Sequence, residues 1–143
     1  MPLCDYVEPA TTALKQKAKN WEEAVYQAGV LLEQADAIAP DYTKAMINMV
    51  KELGPYIVIM PGVAFAHARP EGNVKRNSIA VVTYPEGIEF GNESNDPVYE
   101  VFAIAARTDE EHLTLFQELA KFIADEENVE RLKKASTFEE IGF

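Results

Sequence analysis

The sequence predicts an α/β protein, a mixed sheet of about five strands flanked by helices, formed as one domain over residues 1–143. Three observations carry this expectation. Apolar residues recur at helical spacing before residue 54 and again after residue 108. Between them the pattern changes to short apolar runs punctuated by Pro and Gly. One of those runs, "VYEVFAIAA" (Val98–Ala106), is wholly apolar in its far half, as a strand buried on both faces would be.

In chain order, Asn20 is placed to cap a helix, with Glu23 three residues on. Behind it Trp21, Ala24, Val25, Ala28, Leu31, Leu32 and Ala35 share one face. A second helix follows Pro40, with Tyr42, Ala45, Met46, Met49, Val50 and Leu53 in its stripe and Gly54-Pro55 as its stop. "YIVIM" (Tyr56–Met60) and "VAFA" (Val63–Ala66) read as strands around Pro61-Gly62. "SIAVVTY" (Ser78–Tyr84) and "IEF" (Ile88–Phe90) read as a hairpin around Pro85-Glu86-Gly87. Thr108 and Glu111 form a capping box for a helix whose inner stripe is Leu115, Phe116, Leu119, Phe122 and Ile123. Val129 and Leu132 suggest a short helix. Ser136 with Glu139 would cap another that has almost no length before Phe143, as if the chain were cut short there.

Composition limits the function. At 48% hydrophobic and 26% charged the chain is globular in character and long enough to bury a core. A net charge of -11 argues against nucleic acid and against an anionic membrane surface. The single cysteine, Cys4, allows neither an internal disulfide nor a multi-cysteine metal site. "MPLCDYVEP" lacks the basic and apolar regions of a signal peptide, and the longest uncharged stretch, Gly54 to Ala66, is too short to cross a bilayer. These features predict a cytoplasmic protein.

Chemistry, if present, rests on the two histidines. His67 closes the apolar run "VAFA", where a strand opens into polar loop, the usual place for ligands on α/β sheets. Extended backbone sets His67 and Arg69 on one side, and Pro70 favours that conformation. Local sequence alone nevertheless favours a ring nitrogen satisfied by backbone beside a solvated Arg69. His112 falls on the buried face of the helix after Thr108, near the N-terminal end where anions are favoured and an imidazolium is not. By itself it reads as a space-filling residue. Two strand exits carrying both histidines, each beside anion-friendly groups, shift the balance towards a site. Arg107 could face the same site. Glu93, Asp96 and Glu100 read as surface, as do Asp125, Glu126 and Glu127. No phosphate-cradling glycine loop, nucleophile elbow or zinc spacing is present.

"LGPYIVIMPGVAFAHARPEGNV", "YPEGIEFGNESNDPV", "FAIAARTDEEHLTLFQELAKFI" and "DEENVERLKKASTFEEI" together resemble a known family. It is the enzyme IIA components of the bacterial phosphoenolpyruvate-dependent sugar phosphotransferase system, in the fructose–mannitol class and closest to its ascorbate-type branch. The resemblance runs from Trp21 onward. It implies the phosphotransferase/anion-transport-protein fold and a phosphotransferase activity without a cofactor or metal. The phosphorylated histidine falls on His67, which would take a phosphoryl group from HPr and pass it to a cysteine of the IIB component, serving a IIC permease. The second histidine, which helps hold the phosphoryl group, falls on His112, and Arg69 matches an arginine usual in the ascorbate-type branch. The carbohydrate implied is ascorbate or a pentitol or hexitol, and a homodimer is compatible with the sequence. This chain departs from the family at Ala66, where proline is usual. It departs again near Met49, where the mannitol branch carries an arginine. The rivals are a non-catalytic, phosphorylation-sensitive regulator or anion-binding module of the same fold, and a metal-dependent hydrolase using His67, His112 and Asp96.

Overall fold

The computed structural model describes residues 3–143. Its elements are β1 (Thr12–Ala13), α1 (Trp21–Gln34), α2 (Pro40–Leu53), β2 (Val58–Met60), β3 (Val63–Ala66), β4 (Ser78–Ile88), β5 (Val98–Ala105), α3 (Asp109–Ala124) and α4 (Glu126–Lys134). The helices start where side chains are available to cap them. Asn20 Oδ1 accepts the Glu23 N–H at 2.9 Å, and Thr108 Oγ1 accepts the Glu111 N–H at 3.1 Å. Pro40 begins α2, where a missing N–H costs nothing, and Gly54 ends it at φ +88°.

The sheet order is β1-β4-β5-β3-β2. β5 is its centre, antiparallel to β4 and parallel to β3, so the sheet is mixed. Side chains of β5 alternate between two apolar layers. Val101, Ala103 and Ala105 pack with Leu32, Tyr42 and Met46 of α1 and α2. Phe102 and Ile104 pack with Leu115, Leu119 and Ile123 of α3 and Leu132 of α4. Among the described residues, no helix is long and apolar enough to cross a membrane.

Three expectations change. The hairpin around Pro85-Glu86-Gly87 does not exist: β4 runs through it as one strand. Thr83 pairs with Glu100 and Ile88 with Val98, so residues 84–87 of β4 stand against Tyr99 alone. A bulge absorbs the surplus, and Pro85 fits there because a bulged residue need not donate to the ladder. Gly87 has φ +78°, and a Cβ on it would lie 2.9 Å from Pro97 Cβ. The fifth strand is instead β1, a two-residue pairing with Val81 and Val82 that is too short to leave a pattern. Near the C-terminus a 3₁₀ turn, Phe138–Ile141, starts after Thr137, not after Ser136. Cys4 lies in a 3₁₀ turn, Leu3–Asp5, tied down by buried Leu3 and Val7, although its own thiol is exposed.

The parallel pairing of β3 with β5 positions the site. Ala66 stands opposite Ala103, so both strands end at the same edge of the sheet. There the chain leaves β3 into His67 and leaves β5 into the cap of α3.

Candidate functional site

His67 follows β3 directly and is half-buried. Its Nδ1 lies 2.9 Å from the Phe65 carbonyl oxygen. A carbonyl only accepts, so Nδ1 carries the proton and Nε2 is left with its lone pair. One ring nitrogen is therefore satisfied by backbone, as local sequence favours. That same bond fixes the tautomer in which the other nitrogen is a nucleophile.

His112 lies on the first turn of α3, and its ring centroid is 5.0 Å from that of His67, the planes tilted by 52°. Its Nε2 is buried and has no hydrogen-bond partner among the described residues. Burial holds its pKa below the usual imidazole value, and neighbouring His67 adds to this, against a smaller opposing effect of Asp109. A neutral ring with an unused buried nitrogen can donate to an incoming oxyanion. Aromatic groups enclose the pair: Tyr56 meets His67 edge-on at 5.8 Å and Phe116 lies 6.3 Å from His112.

Arg69 is exposed and makes no hydrogen bond or ion pair among the described residues. Arg107 is exposed too, and its backbone N–H donates to Asn77 Oδ1 at 2.8 Å. The Asn77 amide donates in turn to the Glu111 carboxylate, whose other oxygen accepts from Thr108 Oγ1 at 3.1 Å. This network fixes the start of α3, and with it His112, against the start of β4. Met49 Sδ lies 4.0 Å from the Tyr56 hydroxyl, so an uncharged side chain backs the tyrosine that touches His67.

Two residues in this region were not singled out from sequence. Tyr42, read as one more apolar residue of the α2 stripe, is fully buried and accepts the Ala68 N–H at 3.1 Å. It donates to the Ile104 carbonyl at 2.6 Å, and burial pushes its phenol up to about 12. The strand exit bearing His67 is thereby tied to the end of β5. Tyr56 is the other. An aromatic in an apolar run gives no sign of either role.

Phe65, Ile88 and Phe90 are all buried in the core. Exposed apolar side chains beside the histidines include Tyr56, 41% exposed and edge-on to His67, and Leu113, 56% exposed and next to His112 in the chain. Asp96, the carboxylate a metal-dependent reading would set beside the histidines, instead accepts the N–H groups of Phe90, Gly91 and Asn92 through Oδ2. Glu100, read as surface, is 1% exposed. Its position on the central strand, under α4, outweighs its polarity.

Comparison with known proteins agrees with this architecture. Residues 5–142 match the family described as "Phosphoenolpyruvate-dependent sugar phosphotransferase system, EIIA 2". The ascorbate-specific PTS system EIIA component of Escherichia coli (strain K12) is 36% identical over 135 residues, which is 94% of this chain and 88% of that protein. The solution structure of a mannitol-specific cryptic phosphotransferase enzyme IIA from Escherichia coli superposes with a TM-score of 0.87. It is 29% identical and covers 99% of this chain and 95% of its own. Enzyme IIA of mannitol in its complex with phosphorylated enzyme IIB, also from Escherichia coli, has a TM-score of 0.84 at 29% identity, covering 94% and 92%. The protein with paired histidines at its sheet edge belongs to the EIIA type-2 family of the phosphoenolpyruvate-dependent sugar phosphotransferase system.

Proposed function

We propose that this chain is a phosphocarrier and that Nε2 of His67 is the atom that carries the phosphoryl group. The observation behind this is the Phe65 carbonyl on Nδ1, which leaves Nε2 as the nucleophile 5.0 Å, ring to ring, from a neutral second histidine. Loading takes the phosphoryl group from the phosphohistidine of HPr. The Nε2 lone pair forms a P–N bond as the donor's P–N bond breaks and its electron pair returns to the donor ring. Unloading reverses the logic. A cysteine thiolate of the IIB component attacks phosphorus, a P–S bond forms, and the electron pair of the broken P–N bond returns to Nε2.

His112 contributes a hydrogen bond from Nε2–H to the phosphoryl oxygens, and burial, which lowers its pKa, keeps the ring neutral. Arg69, uncommitted to any carboxylate, supplies positive charge as the group arrives. Tyr56 and Leu113 give both protein partners an apolar surface beside the reacting ring. The known complex of the mannitol relative with phosphorylated IIB supports such docking. The chain works as one domain in the cytoplasm, feeding a IIC permease through IIB. Ascorbate, named for the 36%-identical relative, is the first candidate carbohydrate and a pentitol or hexitol the second.

The test is the relay itself. The protein is phosphorylated with phosphoenolpyruvate, enzyme I and HPr, then mixed with IIB of an ascorbate system. The phosphoryl label should move to the IIB cysteine. Label that stays on this chain, or is simply hydrolysed, contradicts a carrier role in that system.

A further inference from the structure

Tyr56 touches the ring of His67, yet its own hydroxyl finds no oxygen acceptor. The residue sits in the turn between α2 and β2. That turn is pinned through the carbonyls on either side of Tyr56. The Pro55 oxygen accepts the Val58 N–H at 3.2 Å and the Asn92 side-chain amide at 3.3 Å. The Ile57 oxygen accepts the Phe65 N–H at 2.9 Å, which ties the turn to β3 two residues before His67. Held there, the phenol ring stands at 89° to the imidazole, with 5.8 Å between their centres.

Among the described residues the hydroxyl meets only Met49 Sδ, at 4.0 Å. A thioether is a weak acceptor, and this distance is long even for sulfur. Partial burial raises the phenol pKa above its usual value, so the proton is retained at neutral pH. A donor is therefore fixed in a rigid turn, beside the carrier ring, with no strong partner in the unloaded protein.

We propose that the Tyr56 hydroxyl donates a hydrogen bond to a phosphoryl oxygen once His67 is loaded, and so holds the group together with His112. This rests on His67 being the phosphocarrier. The phenol oxygen extends beyond one ring and the phosphoryl oxygens beyond the other, so the span between the ring centres is one they can close. On loading, the hydroxyl exchanges a thioether for an anionic oxygen, whose hydrogen bond is roughly twice as strong as a neutral one. No covalent bond changes, and the phenol keeps its proton. Tyr56 follows α2 and His112 begins α3, helices that pack on opposite faces of the sheet, so the two donors belong to different layers.

A docking role and a bond to the phosphoryl group differ in what they can change. An apolar surface for HPr speeds loading and return alike and leaves their equilibrium where it was. A bond present only in the loaded protein moves that equilibrium.

Phospho-HPr, freed of enzyme I and phosphoenolpyruvate, is mixed with the full chain, and the label on each protein is measured at equilibrium. Tyr56→Phe keeps the ring and should shift the balance towards HPr by about ten-fold or more, as expected for one hydrogen bond to a charged group. Tyr56→Leu should shift it no less. A Tyr56→Phe variant with the unsubstituted balance would overturn the proposal, even with slowed transfer, because slowing alone marks docking or packing. The Tyr56 ¹³Cζ resonance of the unsubstituted protein gives a check that needs no variant. It should move when His67 is loaded, and a resonance that stays put would also overturn the proposal. An unsubstituted protein that takes no label at all would strike the phosphocarrier reading itself, and this proposal with it.

Discussion

The buried hydroxyl of Tyr42 accepts the backbone N–H of Ala68, the residue after His67, and donates to Ile104 near the end of β5. One side chain from α2 thus sets the distance between the two strand exits that carry the histidines. Tyr42→Phe keeps the ring but leaves a buried N–H and a buried carbonyl unanswered. It should destabilise the protein by about 1–3 kcal/mol in urea titration, and the Ala68 amide should exchange faster than in the unsubstituted protein. Unchanged stability together with unchanged exchange would show that the strand exit is held by other contacts.

His112 should matter for rate and not for labelling. A hydrogen bond to a charged group is worth about 1.5–3 kcal/mol, so His112→Ala should slow transfer about 10- to 150-fold if the bond is felt only in the transition state. His112→Gln, which still donates, should lose less. Rapid-quench kinetics from HPr and to IIB measure both steps. A His112→Ala variant with normal rates would reduce His112 to packing, and one that accepts no label would reverse the roles of the two histidines.

Glu100 should make stability fall as pH rises. Its folded pKa, about 7, lies above the unfolded value of 4.5. Between those values the folded state holds a proton that the unfolded state has lost, so stability declines over that window and is level above it. Glu100→Gln removes the dependence. The variant should match the unsubstituted protein near pH 4 and exceed it by as much as about 3 kcal/mol at pH 8. Parallel denaturation curves at the two pH values check this, and a variant less stable at pH 8 would contradict it.

Cys4 should be idle. Its thiol is exposed in the N-terminal turn. Cys4→Ser should transfer phosphoryl groups to IIB at the normal rate. A substantial slowing would bring sulfur chemistry into a mechanism that here uses only imidazole.

The helices were legible because each begins with a local signal, Asn20, Pro40 or Thr108, followed by an apolar stripe. β5 was legible because a central strand must be apolar on both sides. The bulge at Pro85–Gly87 was not, since the same residues that turn a hairpin also fill a bulge, and only the partner strand decides. Both histidines were visible as residues at strand exits, but neither the Phe65 carbonyl that sets one tautomer nor the orphan nitrogen of the other is a local property. Glu100 misled for a related reason. A glutamate between a tyrosine and a valine looks solvated until β4 and α4 are laid beside it.

The central claim is that phosphorus is bonded to one atom, Nε2 of His67. Selectively ¹⁵N-histidine-labelled protein, phosphorylated through enzyme I and HPr, shows by ³¹P- and ¹⁵N-NMR which ring nitrogen carries the group. The account predicts one phosphoramidate, on His67 Nε2 with Nδ1 still protonated, and no phosphorus signal from His67→Gln. Phosphorus on Nδ1, on His112, or persisting in His67→Gln would contradict it.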